Sequence, residues 1–297
     1  MELLADLATP LVRGILLGGL YVVIALGLSL VFGVMKVINV AHGDLVILGS
    51  YFAFFAMTGE IMGHEFKIFG IDPILWLLPG IPLFFIIGIF IQKFLLHRAF
   101  KMSVDAALIV AFGISLIVQN ACQMAWTPLS RGLKPSYFLE TYKIGDVYIP
   151  LVYLLDFVMA LVVVLAVHQF LKRTYLGQAI IAASQDRQTA ELMGIDPARV
   201  YQVAFGIAMA LAAIAGVFLG LTFPFTPTSG VPFLIIAFGV IILGGLGSMV
   251  GTFIGGMIFG LSQTLGGHFW GPTGQLLVPF AMVLVVLTIR PQGLFGR

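Results

Sequence analysis

Residues 174–199 read TYLGQAIIAASQDRQTAELMGIDPAR, the longest polar and charged interval of the chain. Long apolar runs rich in Leu, Ile, Val, Phe and Gly precede and follow it. Runs of that kind lie in the membrane, so this interval is where the chain can meet a water-soluble partner. We therefore predict a docking loop over about residues 171–199. The alternative is an ordinary solvated loop between two helices.

The local pattern of this loop predicts a short helix between two membrane spans. Ser184 and Asp186 are suited to cap its start, and Gly194 is suited to end it in the left-handed conformation. Asp196 followed by Pro197 predicts the cap and first position of the next helix, because the missing N–H of proline costs nothing there. Such a helix is rigidly placed and suits a part that transmits force. Three apolar residues are expected to supply its contacts: Ala190, Leu192 and Met193.

The composition excludes a soluble enzyme. Of 297 residues, 60% are hydrophobic and 9% are charged, whereas roughly a quarter of an average soluble domain is charged. The net charge of +2 gives no reason to expect a nucleic-acid partner. The single cysteine, Cys122, can form no internal disulfide and is interpreted as a small buried hydrophobe. The acidic N-terminus MELLADLATP does not resemble a secretory signal, so no cleavage is expected.

Apolar runs of about 20 residues are needed to cross a bilayer. The sequence therefore predicts an all-α polytopic membrane protein with eight or nine membrane segments, some of them broken or short, in one transmembrane domain over residues 1–297. The predicted segments are Leu11–Phe32, Val37–Met57, Ile74–Ile91, Val104–Trp126, Tyr148–Phe170, Val200–Phe223, Phe233–Leu246, Met249–Leu265 and Gln275–Ile289.

The distribution of Lys and Arg predicts the orientation of these segments. Basic residues concentrate on the cytoplasmic side of a membrane protein, and alternating spans put three basic groups on one side. The docking loop is therefore expected in the cytoplasm, the N-terminus outside and the C-terminus inside. Arg131, Lys134 and Lys143 run against this trend. The three groups are Lys93, Arg98 and Lys101; Lys172, Arg173, Arg187 and Arg199; and Arg290 and Arg297.

Two of the predicted segments are irregular, and both are candidates for the translocation path. In one, polar residues and a glycine interrupt the apolar run; in the other, glycines end a helix of half-span length. Irregular backbone at membrane depth occurs where it is buried or lines a cavity. Plain turns between complete helices are the alternative in both places. The candidate residues are Asn39, His42, Gly43 and Asp44 in the first, and Gly244, Gly245 and Gly247 in the second.

His42 and Asp44 are the most informative polar pair. A helix that starts at Asp44 would bring backbone N–H groups and a carboxylate to one place, which could hold a zwitterion. A helix cap is the alternative for Asp44. Asp156, Gln119 and Asn120 also lie in apolar runs; the last two are candidates for hydrogen bonds between helices.

Glycines at four-residue spacing indicate close helix packing rather than substrate chemistry, because small residues let membrane helices approach one another. They are Gly14 and Gly18; Gly216 and Gly220; and Gly247, Gly251 and Gly255. Motifs of catalysis are missing: the chain has no G-x-x-x-x-G-K-[ST] loop, no H-E-x-x-H helix and no G-x-S-x-G elbow. No catalytic residue and no metal site are predicted.

Several separated motifs, in order along essentially the whole chain, resemble LivH-type permeases of high-affinity branched-chain amino-acid ABC transporters. They are GILLGGLYVVIALGLSLVFGV at 14–34, INVAHGD at 38–44, ASQDRQTAELMGI at 183–195, LGGLGSMVGTFIGG at 243–256 and RPQGLFG at 290–296.

This resemblance implies an ABC permease fold and a role in import across the bacterial inner membrane. The partners it implies are a LivM-type second permease, two ATP-binding cassette subunits that bind ATP and Mg²⁺, and a periplasmic binding protein, with the path between the two permeases. Leucine, isoleucine and valine are the implied cargo, although similar permeases serve other amino acids, amides, urea or small organic acids. The residues it assigns to docking the ATPase are Ala183, Gln185, Asp186, Ala190, Gly194 and Ile195.

Two other classes of transport protein remain as alternatives. An ion-coupled secondary carrier for amino acids, amides or small organic acids would need no ATPase. Such carriers normally hold charged coupling residues deep in several spans, and this sequence largely lacks them. A channel would need a filter motif, and the sequence shows none.

Overall fold

A computed structural model describes residues 2–66, 70–144 and 147–296, which are mainly helical; Arg297 of the predicted basic C-terminus lies outside them. A π-helical turn, Gln92–Leu96, joins α3 to α4. The helices are α1 Glu2–Met35, α2 His42–Thr58, α3 Pro73–Ile91, α4 His97–Met102, α5 Val104–Trp126, α6 Leu151–Arg173, α7 Tyr175–Gln185, α8 Arg187–Leu192, α9 Pro197–Thr222, α10 Gly230–Gly244 and α11 Met249–Ile289.

Six helical stretches among the described residues are long and apolar enough to cross a membrane. The last of them, α11, is bent at Gly271, whose φ of 68° and ψ of −160° are not helical. Its two arms correspond to the predicted segments Met249–Leu265 and Gln275–Ile289. Together with the short helices α2 and α10, the arms confirm the predicted all-α polytopic fold with broken or short helices. The six stretches are Leu7–Met35, Pro73–Met102, Val104–Trp126, Leu151–Arg173, Pro197–Thr222 and Met249–Ile289.

The centre of the bundle consists of α1, α2 and α9. Nearly nine-tenths of the apolar core of α1 and of α9 is buried, whereas less than a third is buried in α5 or α6. Glycines bring the central helices close: Gly14 and Gly18 of α1 lie against the backbone of α11, and Gly216 of α9 lies against that of α2. The predicted packing role of these glycines is confirmed. The outer helices therefore present apolar faces to lipid or to other subunits.

The bundle has two distinct ends. We name one of them the basic end. It holds the C-termini of α1, α4, α6 and α10 and the whole of α7 and α8. The opposite end carries two short antiparallel hairpins that the sequence did not predict. In the first, β1 (Glu60–Ile61) pairs with β2 (His64–Glu65); in the second, β3 (Thr141–Ile144) pairs with β4 (Val147–Pro150), with Thr141 opposite Pro150.

Candidate functional site

The predicted docking loop forms two helices, α7 and α8, at the basic end. The Thr174 side chain accepts a hydrogen bond from the Gly177 N–H at 3.0 Å and so caps α7. A Cβ on Gly177 would overlap the carbonyl oxygen of Phe170, so α7 folds back tightly on the end of α6. It also packs against α1 and α9. A displacement of α7 would therefore act directly on three membrane helices.

Asp186 caps α8, as the sequence predicts. Its Oδ1 accepts hydrogen bonds from the N–H groups of Gln188, at 2.9 Å, and Thr189, at 3.1 Å. The Thr189 hydroxyl donates to Oδ2 at 2.6 Å. These bonds, led by that of the Thr189 side chain, hold the pKa of Asp186 below its usual value. Ser184 does not cap a helix; its hydroxyl donates to the Ile181 carbonyl within α7, because Asp186 already occupies the capping position.

The end of α8 also follows the prediction. Gly194 has a φ of +83° and no atom within 4 Å of where a Cβ would lie, so backbone conformation and not space requires glycine there. The Ile195 N–H returns to the Ala190 carbonyl at 3.1 Å. Asp196 then caps α9 by accepting from the Ala198 N–H at 2.9 Å, with Pro197 in the first turn.

The six predicted docking residues divide into anchors and exposed positions. Ala183 and Ala190 are buried and Ile195 is partly buried; Gln185, Asp186 and Gly194 are exposed. The expected contacts of Leu192 and Met193 within the chain are not formed, because these side chains are 87% and 79% exposed. They project from the end of a short, firmly anchored helix. The segment therefore offers an apolar tip to the outside of the chain.

A cavity of about 510 Å³ lies beside α7 at the basic end, between α7, the end of α1 and the turn before α11. Gln185 lines it on the α7 side, Lys36 at the end of α1, and Ser248 and Phe295 on the third side. The docking segment thus packs against α1, α6 and α9 and borders open space where it faces this cavity.

The second candidate region begins in the middle of the bundle. The His42 Nε2–H donates to the carbonyl of Ile24 at 2.9 Å, and Ile24 lies 11 residues before Met35, the end of α1, which is about 16 Å along a helix. The chain therefore returns into the bundle before α2 starts. Asn39 belongs to this return and accepts from the Ala41 N–H at 3.2 Å. Of the two alternatives for residues 34–44, the structure favours the break, since the chain re-enters the bundle before α2.

Helix α10 starts at the same place as α2. A Cβ on Gly43 would overlap the carbonyl oxygen of Gly230, and a Cβ on Gly230 would overlap the carboxylate of Asp44. From this point α2 runs to the opposite end of the bundle and α10 to the basic end. Two short helices therefore meet by their N-termini, the positive ends of their dipoles.

Asp44 is buried beside this junction and is held by α5. The Ser115 hydroxyl donates to its Oδ2 at 2.5 Å, and the Gln119 amide donates to its Oδ1 at 3.1 Å. Gln119 thus forms the interhelical bond that the sequence suggested, whereas Asn120 bonds within α5 to Leu116. Ser115 and Gly230 were not predicted, since one serine or glycine in an apolar helix gives no distinctive pattern.

The second group of candidate path residues lies apart from the first. It consists of Gly244, Gly245 and Gly247, whereas the first group is Asn39, His42, Gly43 and Asp44. The three glycines of the second group form the turn from α10 to α11 at the basic end, which was the alternative interpretation of this segment. Gly244 packs against Gly251, Gly245 against Gly296, and Gly247 against Gly33. The C-terminal segment closes the turn, since the Leu294 and Phe295 N–H groups donate to the carbonyls of Leu243 and Gly244, each at 3.0 Å.

A second buried carboxylate, Asp156, lies in α6. Its Oδ2 accepts from the Thr222 hydroxyl at the end of α9 at 2.7 Å, and its Oδ1 has no hydrogen-bond partner. Among the described residues, no three His, Cys, Asp or Glu side chains come together as a metal site.

A bundle of apolar helices with two half-length helices meeting inside it defines a multi-pass membrane protein with an intramembrane polar break. The chain belongs to the family described as branched-chain amino acid transport system / permease component, whose model matches residues 11–287. No solved structure matches it.

Curated relatives extend this assignment over nearly the whole chain. The chain is 30% identical to the high-affinity branched-chain amino acid transport system permease protein BraD of Pseudomonas aeruginosa, covering 97% of this chain and 95% of that protein. It is 30% identical to LivH of Escherichia coli strain K12, covering 96% and 94%. It is 25% identical to LivM of the same strain, covering 93% of this chain and 67% of LivM. These relatives are named as transport permeases.

Proposed function

We propose that this chain is the membrane-spanning permease subunit of an ATP-driven importer of branched-chain or other hydrophobic amino acids. The observation that carries the proposal is the docking segment. Its helix α8 is capped at both ends and anchored by the buried Ala190, and Leu192 and Met193 are exposed at its tip. An exposed apolar tip on an otherwise charged segment suits insertion into a groove of another protein.

The partners follow from the family and from what the chain lacks. The chain carries no phosphate-binding loop, so ATP and Mg²⁺ would bind to two separate ATPase subunits docked at α7 and α8. Its similarity to both LivH and LivM permeases supports a pair of related permeases. A periplasmic binding protein would deliver the amino acid at the opposite end.

The orientation follows from the charges of the two ends. Most Lys and Arg side chains of the described residues lie at the basic end, including Lys93, Lys101, Arg173 and Arg187. By the positive-inside rule this end faces the cytoplasm. The docking segment and the C-terminus would then be cytoplasmic, and the N-terminus periplasmic, in a bacterial inner membrane.

An ion-coupled secondary carrier is the second candidate. It is favoured by one observation, the two carboxylates of Asp44 and Asp156 buried inside the bundle, because intramembrane acids often carry protons or ions in such proteins. The docking segment has no role in that mechanism.

The composition of the complex separates the two candidates. The full-length chain, tagged in its native membrane, is solubilised gently and its copurifying proteins are identified by mass spectrometry. Recovery of nucleotide-binding subunits and a second permease supports the importer. Recovery of this chain alone, under conditions that keep a control ABC complex intact, contradicts the importer and favours the carrier.

A further inference from the structure

The cavity beside α7 has the size of a small-molecule site. Its volume is about 510 Å³, and ligand sites in proteins usually measure roughly 300–1,000 Å³. Residues of α1, α6 and α7, of the turn before α11 and of the C-terminal segment line it, so it is formed within this one chain. Three of its lining residues, Lys36, Gln185 and Leu246, are exposed. A solute can therefore reach the cavity from outside the bundle.

Lys36 gives this cavity a positive charge. The residue is exposed, and it forms no ion pair with another described residue. Within the part of the chain that the structure describes, no Asp or Glu lines the cavity. The cavity therefore attracts one negative charge and holds no acidic side chain that would repel it.

Neutral polar groups line the same cavity. Ser29 is only 2% exposed and accepts a hydrogen bond from the Thr252 hydroxyl at 2.9 Å. A hydroxyl has two acceptor positions, so one of them is left unused. The Gln185 side-chain amide makes no hydrogen bond within the described chain. The oxygen atoms of these two side chains can accept hydrogen bonds from an ammonium group.

The remaining surface of the cavity includes an apolar wall that suits a branched hydrocarbon chain. One cation, neutral acceptors and an apolar wall together match a zwitterion with a hydrophobic side chain. A phosphate group carries about two negative charges at neutral pH, and one lysine would leave part of that charge without a partner. The side chains of the wall are buried: Leu30, Val34, Leu171 and Ile180.

We infer that this cavity, named here the product site, binds the transported amino acid after its release into the cytoplasm. Lys36 binds the carboxylate, and Ser29 and Gln185 accept from the ammonium group. The bound amino acid contacts α7 on one side and α1 on the other, so it resists the displacement of α7 by docked ATPases. Accumulated cargo thereby slows the importer. This inference rests on the proposed function, since it requires an amino acid as cargo and a cytoplasmic basic end.

The test uses the complete complex in proteoliposomes, with the binding protein and a saturating concentration of leucine trapped inside. Only complexes whose ATPase subunits face outward hydrolyse added ATP, so the outer solution represents the cytoplasm. Leucine is titrated into the outer solution, and the rate of ATP hydrolysis is measured. The variants are K36Q, K36R and S29A. The matched control is K101Q, which removes an exposed lysine of the basic end that does not line the cavity.

External leucine is expected to slow ATP hydrolysis by the wild type, by K101Q and by K36R, which keeps the charge. In K36Q the leucine concentration for half inhibition is expected to rise roughly tenfold or more, because a charge-assisted hydrogen bond is lost. S29A should raise it by a smaller factor. Leucinamide keeps the ammonium group and the side chain but lacks the carboxylate, so it should not inhibit at the same concentrations. S29A and leucinamide decide the question where K36Q does not assemble.

Equal inhibition of wild type and K36Q by leucine would overturn the inference, since leucine would then act at another place in the complex. Equal inhibition of the wild type by leucinamide and leucine would also overturn it. The proposed function fails in a different way. If leucine-loaded binding protein inside the vesicles does not stimulate ATP hydrolysis, the importer is contradicted. If it does, and external leucine has no effect, only the product site is contradicted.

Discussion

Gly43 in the first turn of α2 lies in direct backbone contact with Gly230, the first residue of α10, and neither position has room for a Cβ. This contact joins the two half-length helices at their N-termini inside the bundle. It also fixes the place of Asp44, whose carboxylate lies against Gly230. The polar break in the membrane domain is thus built on two residues without side chains.

Alanine at either glycine should force α2 and α10 apart. We expect G43A and G230A to lower the free energy of unfolding by about 1–3 kcal/mol, the usual cost of overpacking, and to reduce uptake. Thermal unfolding of the purified complex and leucine uptake measure these effects. G113A in α5 is the matched control, because nothing lies within 4 Å of its Cβ position. Unchanged melting of G43A would contradict the contact.

Gly194 should tolerate residues that accept a left-handed backbone and no others. Its φ is +83° and the surrounding space is open, so G194N should retain uptake while G194V is strained by roughly 1–2 kcal/mol. We expect G194V to copurify several-fold less ATPase. G63V is the control for backbone strain without docking. Gly63 also has a positive φ, +75°, and open space around it, but it lies at the end of the bundle opposite the docking loop. Equal loss of ATPase in G63V and G194V would show that docking is not involved.

The sequence predicted the parts of this protein that depend on local chemistry. Helix caps at Asp186 and Asp196 and the left-handed Gly194 follow from residue type and neighbours alone, and the structure has all three. The apolar runs likewise predicted most spans, because hydrocarbon thickness sets their length.

Contacts between distant segments could not be predicted in the same way. The meeting of Gly43 and Gly230 joins positions nearly two hundred residues apart, and neither glycine differs locally from one that packs two helices. For the same reason the glycines at 244–247 looked like a break, although they form a turn sealed by Leu294 and Phe295. Ser115 gains its role only from Asp44 opposite it.

Asp186 should matter as a cap whose strength depends on pH. Asparagine also caps helices well and alanine does not, so we expect D186N to keep most uptake and D186A to lose a large part.

The folded pKa of Asp186 is lowered, chiefly by the Thr189 side chain. Its stabilising effect is therefore present above the usual carboxyl pKa and is lost as the pH falls through the lower, folded value. Proteolysis within residues 187–195, followed from pH 7 down to pH 3, should accelerate only at the acidic end. Equal cleavage of D186A and wild type at pH 7 would contradict the capping role.

Arg131 should stabilise the opposite end through its forked pairing with Glu60. Its Nη1 and Nη2 donate to the two carboxylate oxygens at 2.8 and 2.6 Å, and the guanidinium lies 5.2 Å from the centre of the Phe54 ring. The Arg131 backbone also pairs with Phe225, in the segment that leads to α10.

Lysine keeps the charge of Arg131 but not the fork. We expect R131K and E60Q each to lower the free energy of unfolding by about 1–3 kcal/mol, as for hydrogen bonds to charged groups, and the double variant to cost less than the sum. Thermal unfolding of the complex measures the cycle. R199K is the control, because the Arg199–Asp196 pair is 83% and 50% exposed and such pairs contribute little. Additive effects of R131K and E60Q would show that the two side chains act separately, and that the end of α2 is held by other contacts.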